Sequence, residues 1–378
     1  MKYFKFNLSE LGFFAFALFF SFDAFFYPFS VLIDVNIPVG FFGVVLGFLL
    51  FLFLLKSCFL RKVKFPAFIS LIPIVFFLIY QSDFSVKSDY YIWLRVLSIF
   101  SVGYFFSLWV FRGGLELNSS VFIFLFYLIF CFLCLVLSKV EGFNYLRVSD
   151  AFALTSILIA VMFKDSYLKN LLIFLIGGVV LYYIGSRGGL ALFFISFVFM
   201  AFRANSYSKY YLVFSFSFFI FIGYLYFFYK YTSISDINNN RFLRIVFETQ
   251  NDTSLIAREA LQEHAIDVIK GNFYLGKYAY YRDFGQDGSY AHNFLSFIAE
   301  LGVVGLLLFF FLSWPQLMVI RHSIFSSRKN LNVIAISTIC FYSMVGIFFA
   351  KSYVWPVFYF AAGAGFFVSS RIRGNLYE

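Results

Sequence analysis

Residues 41–55 read FFGVVLGFLLFLFLL, a run with no charge and no alternation of polar and apolar positions. Apolar runs of this kind recur from one end of the chain to the other. A helix rising about 1.5 Å per residue needs about 20 such residues to cross a hydrocarbon core of about 30 Å. In lipid every backbone polar group must be paired within the protein, which leaves helices and closed β-barrels as the spanning structures. A barrel strand would alternate in polarity, and these runs do not. The spans are therefore read as helices.

Composition agrees. The chain has 378 residues, of which 62% are hydrophobic and 13% charged, and that mixture excludes an ordinary soluble globular domain. Phenylalanine supplies 64 positions. Phe is as soluble in lipid as Leu, so the excess is read as membrane-facing and core surface, not as an aromatic ligand site. The net charge of +10 follows from Lys and Arg gathered in cytoplasmic loops, and no nucleic acid is needed to explain it. Cys131 and Cys134 form a C-x-x-C inside an apolar run, where two small apolar residues are the simpler reading than a redox or zinc site. The first apolar run lacks a small-residue cleavage site and leads straight into another run, so it is expected to stay as an anchor.

Breaks at charged and turn-rich clusters predict about twelve helices, near 11–32, 38–55, 65–80, 92–111, 121–138, 151–163, 171–185, 189–202, 211–228, 294–314, 331–350 and 356–370. On one side the short connections carry Lys2, Lys5, Lys56, Arg61, Lys62, Lys64, Arg112, Lys164, Lys169, Arg203, Lys209, Arg321, Arg328, Lys329, Arg371 and Arg373. The other side's short loops carry Lys87, Lys139, Arg147, Arg187 and Lys351. A bias of about three to one places the richer side, with both termini, in the cytoplasm. Trp93, Trp314 and Trp355 fall near predicted helix ends, where interfacial rings settle. The expected fold is an all-α polytopic membrane protein, with 1–378 as a single transmembrane domain and 229–293 as one large loop on the periplasmic side. A loop of about 65 residues is either functional or disordered. This one contains SLIAREALQEHAIDVIK (254–270), an amphipathic helix with Asp252 or Thr253 as N-cap and Gly271 just past its end, so order is expected.

Three histidines are sorted by this topology. His322 sits in the cytoplasmic cluster RHSIFSSRKN. His264 lies on the apolar stripe of the loop helix with Ala257, Ala260, Leu261, Ala265 and Val268, where a packed structural residue is the better reading. His292, in SYAHNFL, stands where the chain re-enters the membrane and can face both water and headgroups; a catalytic and an interfacial role fit equally. Arg187, in YIGSRGGLALFF, sits in a glycine turn suited to a diphosphate or to a snorkelling arginine. Arg258 projects with Gln262 from the loop helix, while Arg241 and Arg244 precede it in NNNRFLR. Asp23, Arg95 and Glu300 fall inside predicted helices, where charge is costly and functional by default. A transporter would show the same, but Asp23 and Arg95 are few and scattered. No His, Cys or Asp grouping has metal-ligand spacing.

Three pieces together carry a resemblance: the SRGG turn at 186–189, the Arg258 helix ending in GNFYLGKY, and AHNFLSFIAELGVVG at 291–305. Over roughly 180–310 the chain resembles the O-antigen ligase and polymerase superfamily of bacterial polysaccharide assembly. The resemblance implies a metal-independent, cofactor-free, inverting glycosyl transfer from a polyprenyl-diphosphate donor at the inner membrane. His292 would act as base, and Arg187, Arg258, Arg244 and Asn293 would bind substrate. Implied partners are lipid-linked glycan donor and acceptor, membrane lipids, a chain-length regulator and a flippase, with no nucleic acid. The family's polymerases often have paired Arg-rich periplasmic loops. Here the first is reduced to a hairpin, which leaves polymerase and ligase both open. The high Phe content and loose motif match favour the polymerase, since polymerases diverge more freely. A lipid-linked oligosaccharide flippase or transporter is the alternative of another class.

Overall fold

The computed structural model describes residues 7–22, 39–59, 87–115, 121–138, 145–163, 166–204, 253–280, 291–326 and 330–374. Among them the regular structure is helix alone. The elements are α1 (Leu8–Phe16, continued as a π-helix over Ala17–Phe22), α2 (Val39–Phe59), α3 (Lys87–Trp109, with a π turn over Val110–Gly114), α4 (Val121–Leu137), α5 (Tyr145–Met162) and α6 (Tyr167–Ile184). They continue as α7 (Arg187–Ala204), α8 (Thr253–Asn272), α9 (Leu295–Phe325), α10 (Leu331–Phe349) and α11 (Pro356–Gly374). By length and composition three stretches, Leu94–Gly113, Leu295–Phe325 and Leu331–Phe349, can each cross a membrane, and shorter apolar helices accompany them. The predicted helices at 65–80 and 211–228 lie outside the described residues, as do Arg241, Arg244 and Asp23.

Packing follows the rule for helices in lipid, where small residues let backbones approach. α3 and α11 cross at a reciprocal pair: a methyl group on Gly103 would overlap the Phe360 carbonyl, and one on Gly363 would overlap the Phe100 carbonyl. Gly12 meets Phe105 and Gly47 meets Ser98 in the same way, seating α1 and α2 on α3. Phenylalanine fills what remains. Phe16, Phe106 and Phe360 form a triangle with centroids 4.6–5.4 Å apart, whereas Phe122 and Phe132 are largely exposed on the helix surface.

One end of the bundle is basic. Arg203, at the end of α7, donates to the carbonyls of Ile324 and Ser326 at the end of α9. Arg112, at the end of α3, donates to Asn7 and Ser9 at the start of α1. Arg371, near the end of α11, lies over Phe111 and Phe367. The starts of α9 and α11 lie at the opposite end.

Helix α9 departs from its predicted length. It runs through Pro315 to Phe325, well past residue 314, because a membrane helix tolerates proline when neighbouring groups satisfy the backbone. Trp314 therefore lies within the helix and not at its end. Trp355 is a second correction: it is 6% exposed, not an interfacial anchor, because its indole N–H is used inside the protein.

α9 also breaks at Gly302 (φ 58°, ψ −142°), and the break holds the loop helix. Val303 N–H donates to the Tyr274 carbonyl at 3.2 Å and Lys277 N–H to the Ala299 carbonyl at 2.8 Å. The fully buried Glu300 accepts from Ala279 N–H at 2.6 Å, and Ala279 itself has a positive φ of 58°. Gly276 (φ 69°) faces Gly302 too closely for any side chain. Glu300, expected to be functional, thus serves to clamp the segment after α8. Leu261, Ala265 and Val268 of the predicted stripe are buried, whereas Ala257 is exposed and Ala260 only partly covered; Ala265 and Val268 form a small core with Tyr280, Ala291 and Ala299.

Candidate functional site

Four chain segments converge at the end of the bundle opposite the basic one. The first is the turn between α6 and α7. Gly185 ends α6 in the left-handed conformation (φ 80°), which only glycine adopts without cost. Ser186 then caps α7, accepting from Gly189 N–H at 3.3 Å. Gly189 is pressed against Ser149 of α5, so a methyl there would sit 3.1 Å from the Ser149 Cβ, and one on Gly188 would touch Ala350 at 3.8 Å. The SRGG turn is thereby packed between α5 and the α10–α11 connection, with Arg187 as the first residue of α7.

The second and third segments meet in a buried ion pair. Asp150, one turn into α5, takes three donors: Lys351 Nζ at 2.6 Å and Trp355 Nε1 at 2.9 Å on Oδ2, and the Tyr342 hydroxyl at 3.0 Å on Oδ1. Both charged side chains are only 12% exposed. Two neutral donors besides the ammonium satisfy the carboxylate, which is the condition under which a buried pair is tolerated. Lys351 also lies over the Trp355 ring, 5.4 Å from its centroid.

The fourth segment carries His292. Asn293 Oδ1 accepts from Leu295 N–H at 3.1 Å and its Nδ2 donates to Gln262 Oε1 on α8 at 3.3 Å. Asn293 therefore ties the loop helix to the start of α9, and both of its polar atoms are occupied by protein. Ser296 hydroxyl donates to the Asn293 carbonyl at 2.7 Å and accepts from Tyr353 N–H at 2.8 Å, stitching this turn to the Lys351 connection. Arg258, one turn before Gln262, is exposed on the same face of α8. His292 is half-buried, and its pKa is lowered to about 4 by burial first, then by the charges of Arg258 and Lys351. The imidazole is neutral at pH 7 and can accept a proton.

The other candidates fall away from this site. His264 packs 5.6 Å from the Tyr280 ring, as its place on the stripe predicted. His322 lies in the last turn of α9 at the basic end, where its backbone carbonyl accepts from Ser326 N–H. Asp267 pairs with Lys270 at the surface, Arg95 lies over Phe19, and Cys131 and Cys134 are buried free thiols. Among the described residues no group of three His, Cys, Asp or Glu is placed to hold a metal. Sequence reasoning missed Asp150: the predicted start of that helix at 151 left it in a loop. Its signal was a carboxylate inside an apolar run, and Lys351 was counted only as loop charge.

Comparison with known proteins gives one result. Residues 172–310 match the O-antigen ligase family model. The match bears out the resemblance to the O-antigen ligase and polymerase superfamily and takes in Arg187, Arg258, His292 and Asn293. Asp150 and Lys351 lie outside the matched segment, so the bundle adds to the site what the family model does not cover. No curated protein and no solved structure matches the chain. The apolar helices make this a helical membrane protein, and over residues 172–310 it is similar to the O-antigen ligase family.

Proposed function

We propose that the chain transfers a glycan from a polyprenyl-diphosphate donor to an acceptor hydroxyl, and that the acceptor is the next lipid-linked repeat unit. The observation that carries this is the meeting of a neutral histidine with two cations beside a glycine turn, where the chain enters the bundle. In the reaction the acceptor oxygen attacks the anomeric carbon, the bond from that carbon to the diphosphate breaks, and the hydroxyl proton passes to His292. Arg187 and Arg258 stabilise the departing diphosphate; guanidinium binds phosphate oxygens in a fork and keeps its charge at any physiological pH. Arg244 belongs to the same proposed binding set. The His292 end faces the periplasm and the basic end the cytoplasm, following the bias of short-loop charge.

The description of the matched family, O-antigen ligase, favours a second reading in which the glycan passes to the lipid A core. Donor chemistry is the same in both. A strain lacking the gene separates them on a gel of surface glycans: loss of a polymerase leaves core carrying one repeat unit, and loss of a ligase leaves bare core. Complementation with His292→Ala at equal membrane abundance is expected to cost about a hundred- to ten-thousand-fold in transfer rate, the contribution of a positioned base. Full activity of that variant removes His292 from the mechanism.

A further inference from the structure

The ion pair at Asp150 is built with more care than the stability of a membrane bundle requires. Three donors, one from α10 and two from the connection that follows it, all aim at one carboxylate on α5. Replacing such a group with packed apolar residues is often neutral or stabilising, so stability alone does not account for it. Lys351 offers a use. Its ammonium has three donor hydrogens. Asp150 takes one, and the Trp355 ring stands beside the head group without accepting the others in a conventional hydrogen bond. A methyl added to Gly188 of the SRGG turn would touch the adjoining residue Ala350, and Tyr353 is bonded to the Ser296 turn just after His292. Lys351 thus stands between two of the segments assigned to the donor.

We propose that Lys351 is a diphosphate-binding cation of this site and that Asp150, with Trp355 and Tyr342, is its positioning residue. The proposal rests on the lipid-diphosphate reading above. A lysine on a four-carbon stem is otherwise mobile; fixed at one oxygen and over one ring, it holds its remaining hydrogens at a set place. The paired carboxylate also offsets its charge while the site is empty, which lessens repulsion with Arg258 across His292. An arriving diphosphate meets an ammonium already oriented.

The test uses the full chain in lipid nanodiscs, with farnesyl diphosphate as the probe and farnesol as the uncharged control. Lys351→Met alone strands a buried carboxylate and can unfold the protein, so the deciding variant is Asp150→Asn with Lys351→Met, which removes both charges together. The double variant is expected to melt within a few degrees of the wild type, to bind farnesyl diphosphate at least ten-fold more weakly, and to bind farnesol unchanged. Wild-type affinity for farnesyl diphosphate in the folded double variant would overturn the proposal and leave the pair a structural tie. If the wild-type protein shows no saturable preference for the diphosphate over farnesol, the donor reading falls and this proposal falls with it. The two failures are told apart by which protein fails to discriminate.

Discussion

His292 sits in a place that lowers its affinity for protons, and the direction of that shift fixes how activity varies with pH. Burial and the charges of Arg258 and Lys351 hold the imidazole near pKa 4, against about 6.5 for an unperturbed histidine. A base that is neutral above about pH 4 gives a rate that stays level from pH 7 down past 6 and falls only in stronger acid. The profile of kcat/KM against pH for the purified protein should show that displaced acid limb; a limb at 6 to 6.5 would mean that neither burial nor the cations act on the histidine. Arg258→Gln removes one of the two cations, so its limb should move up toward 6.5 but not reach it, since burial is the larger cause. Stability follows the same sign. Between pH 6.5 and 4 the unfolded chain binds a proton that the folded chain refuses, so folding weakens as pH falls through that window.

At the scale of elements, the break in α9 positions Arg258. The loop helix is fastened by Gly302, Gly276 and Glu300 to the flank of a membrane helix, and Asn293 ties its Gln262 to the turn that carries His292. Gly302→Ala places a side chain at φ 58°, ψ −142° against the Tyr274 carbonyl and Gly276 nitrogen. The backbone strain alone is worth about 1–3 kcal/mol. The variant should melt earlier in detergent and be nicked by protease in the segment 273–280. Gly271→Ala, with open space around it, is the control and should do neither; equal melting of the two variants would remove the clamp. Much of this was legible in the sequence. The amphipathic period of 254–270 gave the loop helix and its buried face, and the SRGG and AHN turns marked two of the converging segments. Glu300 was misjudged because a buried carboxylate reads the same whether it binds a ligand or caps a backbone N–H. Asp150 was missed because a helix start displaced by a few residues turns an intramembrane charge into a loop charge. Neither error could be repaired from periodicity alone, since each depends on which distant backbone arrives beside the side chain.

For the molecule as a whole, the directions of the helices put the four site segments at one end and Arg112 of α3, Arg203 of α7 and Arg371 of α11 at the other. The charge bias then predicts their sides. A reporter active only outside the cytoplasm should be active when fused after Gly271 and silent when fused after Ser326. The reverse result would put the site on the wrong side for a donor displayed outward. The ion pair that completes this end joins residues 201 positions apart, and that separation matters while the protein is being made. At about 5–20 residues per second, a ribosome that has delivered Asp150 to the membrane needs about 10 to 40 s before Lys351 exists. Through that interval the carboxylate lacks the ammonium it pairs with in the finished fold. A nascent chain therefore carries a local mark of incompleteness that translation of the last two helices erases, and a chain stopped before Lys351 keeps it exposed to the proteases that police unfinished membrane proteins.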